Sequence, residues 1–516
     1  MPIDGLLYWL LAAAPVFALL GGILFLKWEA SRVGAISWFI GIFVAYAFFG
    51  ANARLLALAN AKGVALSLYV LLIIWSAIFL YNVAEGAGAV KTISHTMQKV
   101  SDDRLIQCLL LAWCFSSLLQ GIAGFGVPVA VVAPIMVGMG FDPIVSVAAC
   151  LVGHSWSISF GSMGSSYNAI QLVTDLPGEV IGPTMAVVFS VAVFSTGFSV
   201  LHIHDGMRGV RKGVFPVFVV GSAMSFVLWL MNVVGIAQIA TLAAGMSGCA
   251  LLTLACLRPQ KKTPPPAIPE DGMGIHAAAS PYYAVVLLTL FSQVPTLRTA
   301  LKPYFWGLDF PSASTTLGYA VEAVSAYSKI QFFSHPAPIL LASAIFGAFF
   351  YTLLGASAGG TLASLRAAGG KTVRKCVPAS VGIVTMVMMA IVMSDTGMTN
   401  CIARGVAAFF GRAYPLVSPF VGTLGTFITG SNTNSNVMFG MMQYETAAVL
   451  GQSAVLMAAA QSVGGSLGVA IAPSTILMGA TNVGAGGRES EIMGRTIGYG
   501  ILNTALVGIF VWFLGR

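Results

Sequence analysis

Apolar runs about as long as a bilayer is thick recur along the whole 516-residue chain, separated by short polar connections. A helix needs ~20 apolar residues to cross hydrocarbon. The runs predict spans near 6–26, 33–58, 64–84, 105–120, 126–140, 144–160, 180–203, 214–234, 236–257, 281–300, 336–355, 376–394, 398–429, 436–450, 453–467, 470–486 and 493–514. Several are too short to cross alone and read as half-helices, which leaves ~12–14 crossings at ~20 residues each. The expected fold class is an all-α polytopic membrane protein with broken or re-entrant helices.

Two polar, glycine-rich interruptions stand out against this pattern. The first is Gly-Ile-Ala-Gly-Phe-Gly-Val-Pro at 121–128, and the second is Thr-Gly-Ser-Asn-Thr-Asn-Ser-Asn at 429–436. Each lies in a long stretch without a basic residue, between Arg104 and Arg208 and between Arg412 and Arg488. Irregular backbone inside a bilayer is tolerated only where it is buried in protein or lines a cavity. One such break in each half of a chain is the sequence signature of a secondary transporter's substrate site.

At the first break, Gly121, Gly124 and Gly126 permit unusual backbone angles and close approach, and Pro128 suits the first turn of a new helix. The free N–H groups and the dipole of that helix favour an anion. Phe125 completes the motif. In the second break Thr429, Ser431, Asn432, Thr433, Asn434, Ser435 and Asn436 all carry hydrogen-bonding side chains beside Gly430. Seven such groups cannot face lipid cheaply, so they are expected to face a cavity, a substrate or a cation.

Two further clusters follow the breaks. Gly153-His154-Ser155-Trp156-Ser157-Ile158-Ser159-Phe160-Gly161-Ser162 contains a histidine deep in the first basic-free stretch, and histidine titrates near neutrality. Ala460-Gln461-Ser462-Val463-Gly464-Gly465 is followed by Pro473-Ser474-Thr475, which opens a new segment. The order of break, short apolar segment, small-residue helix and second break recurs in both halves. That order is expected of two inverted repeats.

Composition narrows the class. Hydrophobic residues make up 57% of the chain and charged residues 8%, against about 25% charged in soluble domains. The net charge of +8 sits in short connections: Lys27 and Arg32; Lys91, Lys99 and Arg104; Arg208, Arg211 and Lys212; Arg258, Lys261 and Lys262; Lys371, Arg374 and Lys375. Read by the positive-inside rule these are cytoplasmic, which puts the residues before the first span outside. The pattern is no nucleic-acid patch. The span near 6–26 lacks a basic n-region and reads as a retained helix.

The seven cysteines, at 108, 114, 150, 249, 256, 376 and 401, lie in or beside apolar segments without a CxxC pair and read as core residues. No HExxH or Walker A motif is present, so neither an enzyme nor an ATPase is expected, and no cofactor or metal.

The proline-rich segment 258–280 reads as an extended, cytoplasmic linker. It separates an N-terminal membrane half, 1–257, from a C-terminal half, 281–516. Their broken-helix modules are expected over 105–203 and 413–515. The polar region 302–335 reads as either an external loop or a re-entrant segment.

At these motifs the chain resembles the bacterial lactate permease family, which includes glycolate permeases. The matching stretches are Gly121-Ile-Ala-Gly-Phe-Gly-Val-Pro-Val-Ala, Val137-Gly-Met-Gly-Phe, Phe160-Gly-Ser-Met-Gly, Asp205-Gly-Met-Arg-Gly, Ser418-Pro-Phe-Val-Gly-Thr-Leu-Gly, Phe427-Ile-Thr-Gly-Ser, Ser435-Asn and Gly487-Arg-Glu-Ser-Glu. The resemblance implies secondary uptake of 2-hydroxymonocarboxylates such as lactate and glycolate across the bacterial cytoplasmic membrane, with protons. The family pattern also implies acidic residues at positions 120 and 432, a lysine at 469 and an Asn-Thr pair at 154–155. This chain has Gln120, Asn432, Val469 and His154-Ser155 there.

The expected function is secondary transport of a small organic anion by alternating access, coupled to a cation, first a proton. The alternatives are sodium-coupled or uncoupled transport of another small organic acid, or a cation exchanger. The expected substrate ligands are Gln120, Gly121, Gly124, Phe125, Gly126, Ser159, Thr429, Gly430, Ser431, Asn432, Thr433, Asn434, Ser435, Asn436 and Gln461. Coupling candidates are His154, Glu322 and Asp395. Expected partners are the anion, a co-transported proton or sodium, the lipid bilayer and a possible second copy of the chain.

Overall fold

A computed structural model describes residues 5–26, 28–98, 100–124, 126–256, 273–292, 294–357 and 359–516. Phe125, most of the linker and the basic residues Lys27, Lys99, Arg258, Lys261 and Lys262 lie outside the described residues. Described helices dominate, and ten are long and apolar enough to cross a bilayer. The end of the expected extended linker is instead a helical turn, Ile275–Ala278, packed against helix Ala89–Gln98.

One of these elements is more than one crossing. Helix Gly178–Val233 has 56 residues, far more than the ~20 that span hydrocarbon. It is broken at Asp205-Gly206, where Gly206 takes φ 57°. Beyond the break the chain runs back along itself: the Phe194 and Phe218 rings meet with centroids 5.6 Å apart, and Gly213 lies under the Leu201 side chain. Helices Pro143–Ser157 and Gly161–Thr174 form one span bent by 53°. Helix Arg104–Ala123, by contrast, is one arm of a hairpin. Ser280–Ser292 is a shorter apolar helix between Cys256 and Pro336. By length and composition the described residues hold ten candidate spans, or eleven with the bent pair counted as one, before the 56-residue helix is divided at its break.

Both glycine-rich interruptions are tips where the chain reverses, not breaks in helices that carry on across the bilayer. In hairpin one, Arg104 at the start of the first arm donates to the carbonyl oxygen of Met139 at the end of the second, helix Val127–Gly138. The tip is Gly124–Gly126, with Gly126 at φ 80°. In hairpin two, helices Tyr414–Thr429 and Asn432–Leu450 are joined through Gly430 at φ 69°. Gln443 donates to the Ser418 carbonyl at 3.0 Å near its base. With the basic clusters cytoplasmic, hairpin one enters from the cytoplasm and hairpin two from the opposite face.

Each hairpin is followed by a broken span. Pro143–His154 is interrupted at residues 155–160 before Gly161–Thr174. Ala454–Gly468 is interrupted at 469–472 before Pro473–Asn482. The contacts are exchanged between halves as a pseudo-two-fold requires. Helix Gly161–Thr174 packs on the second arm of hairpin two, and Pro473–Asn482 packs on the second arm of hairpin one. The first broken span touches the second break, and the second broken span touches the first. Polar helix ends thus meet in the middle.

Glycine sets the spacing of these modules. A Cβ on Gly464 would lie 1.8 Å from the Pro419 carbonyl oxygen, and one on Gly422 would lie 2.1 Å from that of Gln461. Hairpin two and the span behind it therefore touch backbone to backbone, as small-residue interfaces do in membranes. Gly121 serves the same purpose, with Leu242 backbone 2.6 Å from its would-be Cβ. It is a packing residue and not the substrate ligand expected.

The remaining helices form a surround. Asn52 caps helix Ala53–Gly86 by accepting from the Leu55 N–H at 2.9 Å, which moves the expected boundary from near 58–64 back to 49–52. Gly411 divides the expected span 398–429 into Met398–Phe410 and Tyr414–Thr429. The polar region 302–335 forms two small antiparallel ribbons, Phe305–Phe310 with Val324–Gln331 and Ala313–Ser314 with Ala320–Val321. Glu322 is exposed there, away from the hairpin tips.

Asp395, at the end of helix Gly360–Asp395, pairs with Lys62 at 3.0 Å, with their side chains only 13% and 6% exposed. Removing one partner of a buried pair costs about 3–5 kcal/mol. Asp395→Asn is therefore expected to lower the melting temperature of the purified protein clearly, while the folded fraction keeps wild-type transport per molecule.

Candidate functional site

The tips of both hairpins and the breaks of both spans enclose one cavity of about 170 Å³. Its lining includes Gln120, Gly126, His154, Ile158, Ser162, Ser165, Ser166, Gly430, Ser431, Asn432, Thr433, Val469, Ser474, Thr475 and Met478. None of these is Lys, Arg, Asp or Glu. A larger cavity of about 660 Å³ lies between Trp9, Arg404 and Phe409. Its walls are mainly apolar and it opens beside exposed Leu6 and Phe409 on the outer surface.

Most of the polar lining is helix starts, while Gln120 and His154 lie in the last turns of Ser116–Ala123 and Pro143–His154. Gly126 is the N-cap of Val127–Gly138, and Ser431 is the N-cap of Asn432–Leu450, accepting from the Asn434 N–H. Ser474 and Thr475 lie in the first turn of Pro473–Asn482. Ser162, Ser165 and Ser166 belong to the start of Gly161–Thr174, where Ser162, Met163 and Gly164 all take left-handed angles, φ 47°, 54° and 73°. The first turn of a helix has N–H groups without intrahelical partners, and each N-terminus carries about half a positive charge. Four such ends around the cavity favour negative charge there without a basic residue.

Left-handed angles at Ser162 and Met163 are costly for residues with a side chain, of order 1–3 kcal/mol each. The surrounding packing holds them. Gly124 of hairpin one allows the approach: a Cβ there would lie 2.1 Å from Ser162 Oγ and 2.9 Å from Gln120 Nε2. Gln120 is thus held between its own hairpin tip and the first break, with Gly161 on the other side.

A layer of amides and hydroxyls supports the lining. Asn432 Nδ2 donates to Ser159 Oγ at 2.9 Å, and Ser159 Oγ donates to the Ser462 carbonyl at 3.0 Å. Asn436 Nδ2 donates to the Ser166 carbonyl and to Ser462 Oγ, both at 2.9 Å. Thr433 Oγ1 meets Ser166 Oγ at 2.8 Å. Gln461 Nε2 donates to Ser435 Oγ at 3.0 Å and its oxygen accepts from Gln443 at 2.9 Å. Interhelical bonds of this type contribute roughly 0.6–2 kcal/mol each in membranes. The bonds of Asn432, Thr433 and Asn436 to Ser159 and Ser166 cross between the two halves and fix hairpin two against the first broken span.

The expected ligands therefore divide. Gln120, Gly126, Gly430, Ser431, Asn432, Thr433 and His154 line the cavity. Ser159, Ser435, Asn436 and Gln461 are buried in the supporting layer, as is Asn434 at the start of the same helix. Thr429 closes its own helix end, donating to the carbonyls of Gly425 and Ser431. Gly124 sets the tip geometry. Ser165, Ser166 and Met478 were not legible as lining. The only sequence signal for the serines is the density of small polar residues in Gly161-Ser-Met-Gly-Ser-Ser. Ser162, Ser474 and Thr475 fell inside noted motifs without being singled out as ligands.

His154 ends helix Pro143–His154, and its Nδ1 lies 2.5 Å from the Cys150 carbonyl oxygen. A carbonyl only accepts, so Nδ1 carries the hydrogen, and Nε2 is the nitrogen able to take a proton. No group of three or more His, Cys, Asp or Glu positioned to hold a metal occurs among the described residues.

Fold and site together define a multi-pass membrane protein with a buried polar cavity between inverted re-entrant hairpins. The chain belongs to the L-lactate permease family, whose model matches residues 9–516. It is 27% identical over 468 residues to an L-lactate permease of Salmonella typhi, covering 85% of this chain and 83% of that protein. It is 28% identical to an L-lactate permease of Bacillus subtilis, covering 85% and 84%. It is 26% identical to the glycolate permease GlcA of Escherichia coli, covering 99% and 96%. Among solved structures it is similar to the YdaH transporter of Alcanivorax borkumensis, with a TM-score of 0.47 and 14% identity over 89% of this chain and 87% of that one.

A methyl group at Gly124 has no room beside Ser162. Gly124→Ala is expected to weaken anion binding by tenfold or more in a titration of the purified protein. Gly138→Ala, where a Cβ meets nothing within 4 Å, is expected to leave it unchanged.

Proposed function

We propose that this protein is a secondary transporter that carries a small 2-hydroxymonocarboxylate, of the lactate or glycolate type, by alternating access together with a proton. The observation that carries this reading is the convergence of four helix N-termini on one cavity without a charged side chain. That arrangement suits a single carboxylate. Family membership, with relatives named as lactate and glycolate permeases, supports the substrate class.

In this mechanism the carboxylate takes N–H groups and hydroxyls from the first turns at Ser431–Thr433 and Ser474–Thr475. The amide of Gln120 is placed to bond the 2-hydroxyl. Hairpin tips on opposite sides act as the two gates, and the pseudo-two-fold relation supplies the inward and outward forms. His154 Nε2 receives the co-transported proton, which balances the carboxylate charge inside an uncharged cavity.

Uptake of labelled lactate, glycolate and larger organic acids into proteoliposomes under an imposed pH gradient tests the reading. Accumulation of the two small hydroxyacids is expected. No uptake of any acid under any ion gradient would sink it. His154→Gln is expected to abolish accumulation driven by the pH gradient while sparing exchange of labelled for unlabelled substrate. Undiminished accumulation in that variant would remove His154 from the proton path.

A further inference from the structure

Three side chains of the central cavity have no part in the anion cradle. Among the described residues that line it, Ile158, Val469 and Met478 are apolar, and every other is glycine or carries a hydrogen-bonding group. They come from three places. Ile158 belongs to the break of the first span, Val469 to the break of the second, and Met478 to helix Pro473–Asn482.

Each is held in position. The Ile158 N–H donates to Ser466 Oγ at 3.2 Å, across the two halves. The Val469 carbonyl accepts from Thr475 Oγ1 at 2.7 Å. Both side chains are buried, and both are β-branched and so stiff at χ1. Met478 is different. Its sulfur occupies the place that a Cβ on Gly126 would take, so it rests on the tip of hairpin one. A thioether on an unbranched chain adapts to what lies against it. The cavity thus has two rigid apolar surfaces and one that yields.

Size decides what covers them. A cavity of about 150 Å³ holds benzene, a molecule of six non-hydrogen atoms, and this one is about 170 Å³. Lactate also has six such atoms, glycolate five and 2-hydroxybutyrate seven. Glycolate carries only hydrogen on C2 besides its carboxylate and hydroxyl, and leaves the apolar surfaces bare. A methyl or ethyl group there covers them, and covering apolar surface is favourable in proportion to its area.

We propose that Ile158, Val469 and Met478 form an apolar subsite for the C2 substituent, so that the protein prefers lactate and 2-hydroxybutyrate to glycolate. The proposal rests on the hydroxyacid reading above. The helix starts and Gln120 take the carboxylate and hydroxyl, the alkyl group lies against Ile158 and Val469, and Met478 limits its length. One methylene in an apolar pocket discriminates roughly 10–200-fold, and a cavity that is mostly polar sits at the lower end, about tenfold.

The test is binding of glycolate, lactate, 2-hydroxybutyrate and 2-hydroxyhexanoate to the purified protein. Lactate is expected to bind about tenfold more tightly than glycolate, 2-hydroxybutyrate about as tightly as lactate, and 2-hydroxyhexanoate far more weakly. Val469→Thr keeps the shape of the wall and adds a hydroxyl. It is expected to bring the lactate preference close to parity while glycolate affinity, which reports the folded cradle, stays at the wild-type value. Met478→Ala is expected to raise 2-hydroxyhexanoate affinity several-fold and leave glycolate unchanged. Equal wild-type affinity for glycolate and lactate would overturn the subsite and leave the hydroxyacid reading standing, as would an order of preference unchanged in both variants. Binding of none of the four acids to the wild type would overturn the hydroxyacid reading, and the subsite with it.

Discussion

A peptide group inside a bilayer must find a hydrogen-bond partner or lose several kcal/mol. This chain ends eight helices near the middle of its fold and so creates many such groups at once. They are tolerated because the ends face one another across a shared space. First turns and their serine, threonine and asparagine residues point at the central cavity. The supporting amides of Asn436, Gln443 and Gln461 bridge to carbonyls of neighbouring helices. The inverted hairpins, the glycine-spaced interfaces and the uncharged lining all follow from satisfying those ends together.

Much of this was legible in the sequence because the relevant residues are unusual for their surroundings. Glycines, a proline, and runs of serine and asparagine inside apolar stretches have no cheap explanation in lipid, and both tips fell where those residues mark them. The path of the chain at the tips was not legible. Apolar periodicity is the same whether a helix carries on beyond a break or turns back, and only contacts such as Arg104 with Met139 decide. The spans expected at 180–203 and 214–234 flank Asp205-Gly206, but the sequence did not show that they pack on each other.

Residue roles were harder to read than positions. Gly121 and Gly124 look alike in sequence, yet one meets helix backbone at Leu242 and the other meets the Ser162 side chain at the cavity. Asp395 looked like a free intramembrane acid because its partner, Lys62, is 333 residues away and no local spacing reveals the pair. Ser165 and Ser166 read as ordinary helical residues, since their importance depends on the left-handed turn just before them. Each case turns on which surface lies opposite, a property of the tertiary fold.

The cavity lining without ionised side chains has an electrical consequence. Moving one elementary charge across a membrane changes its energy by about 2.3 kcal/mol per 100 mV. A carrier whose empty site holds no net charge resets without moving charge, so its return stroke is electrically silent. In the transport cycle proposed above, voltage would then act on the loaded stroke alone, and the number of cations carried with the carboxylate would set how steeply the turnover rate follows membrane potential.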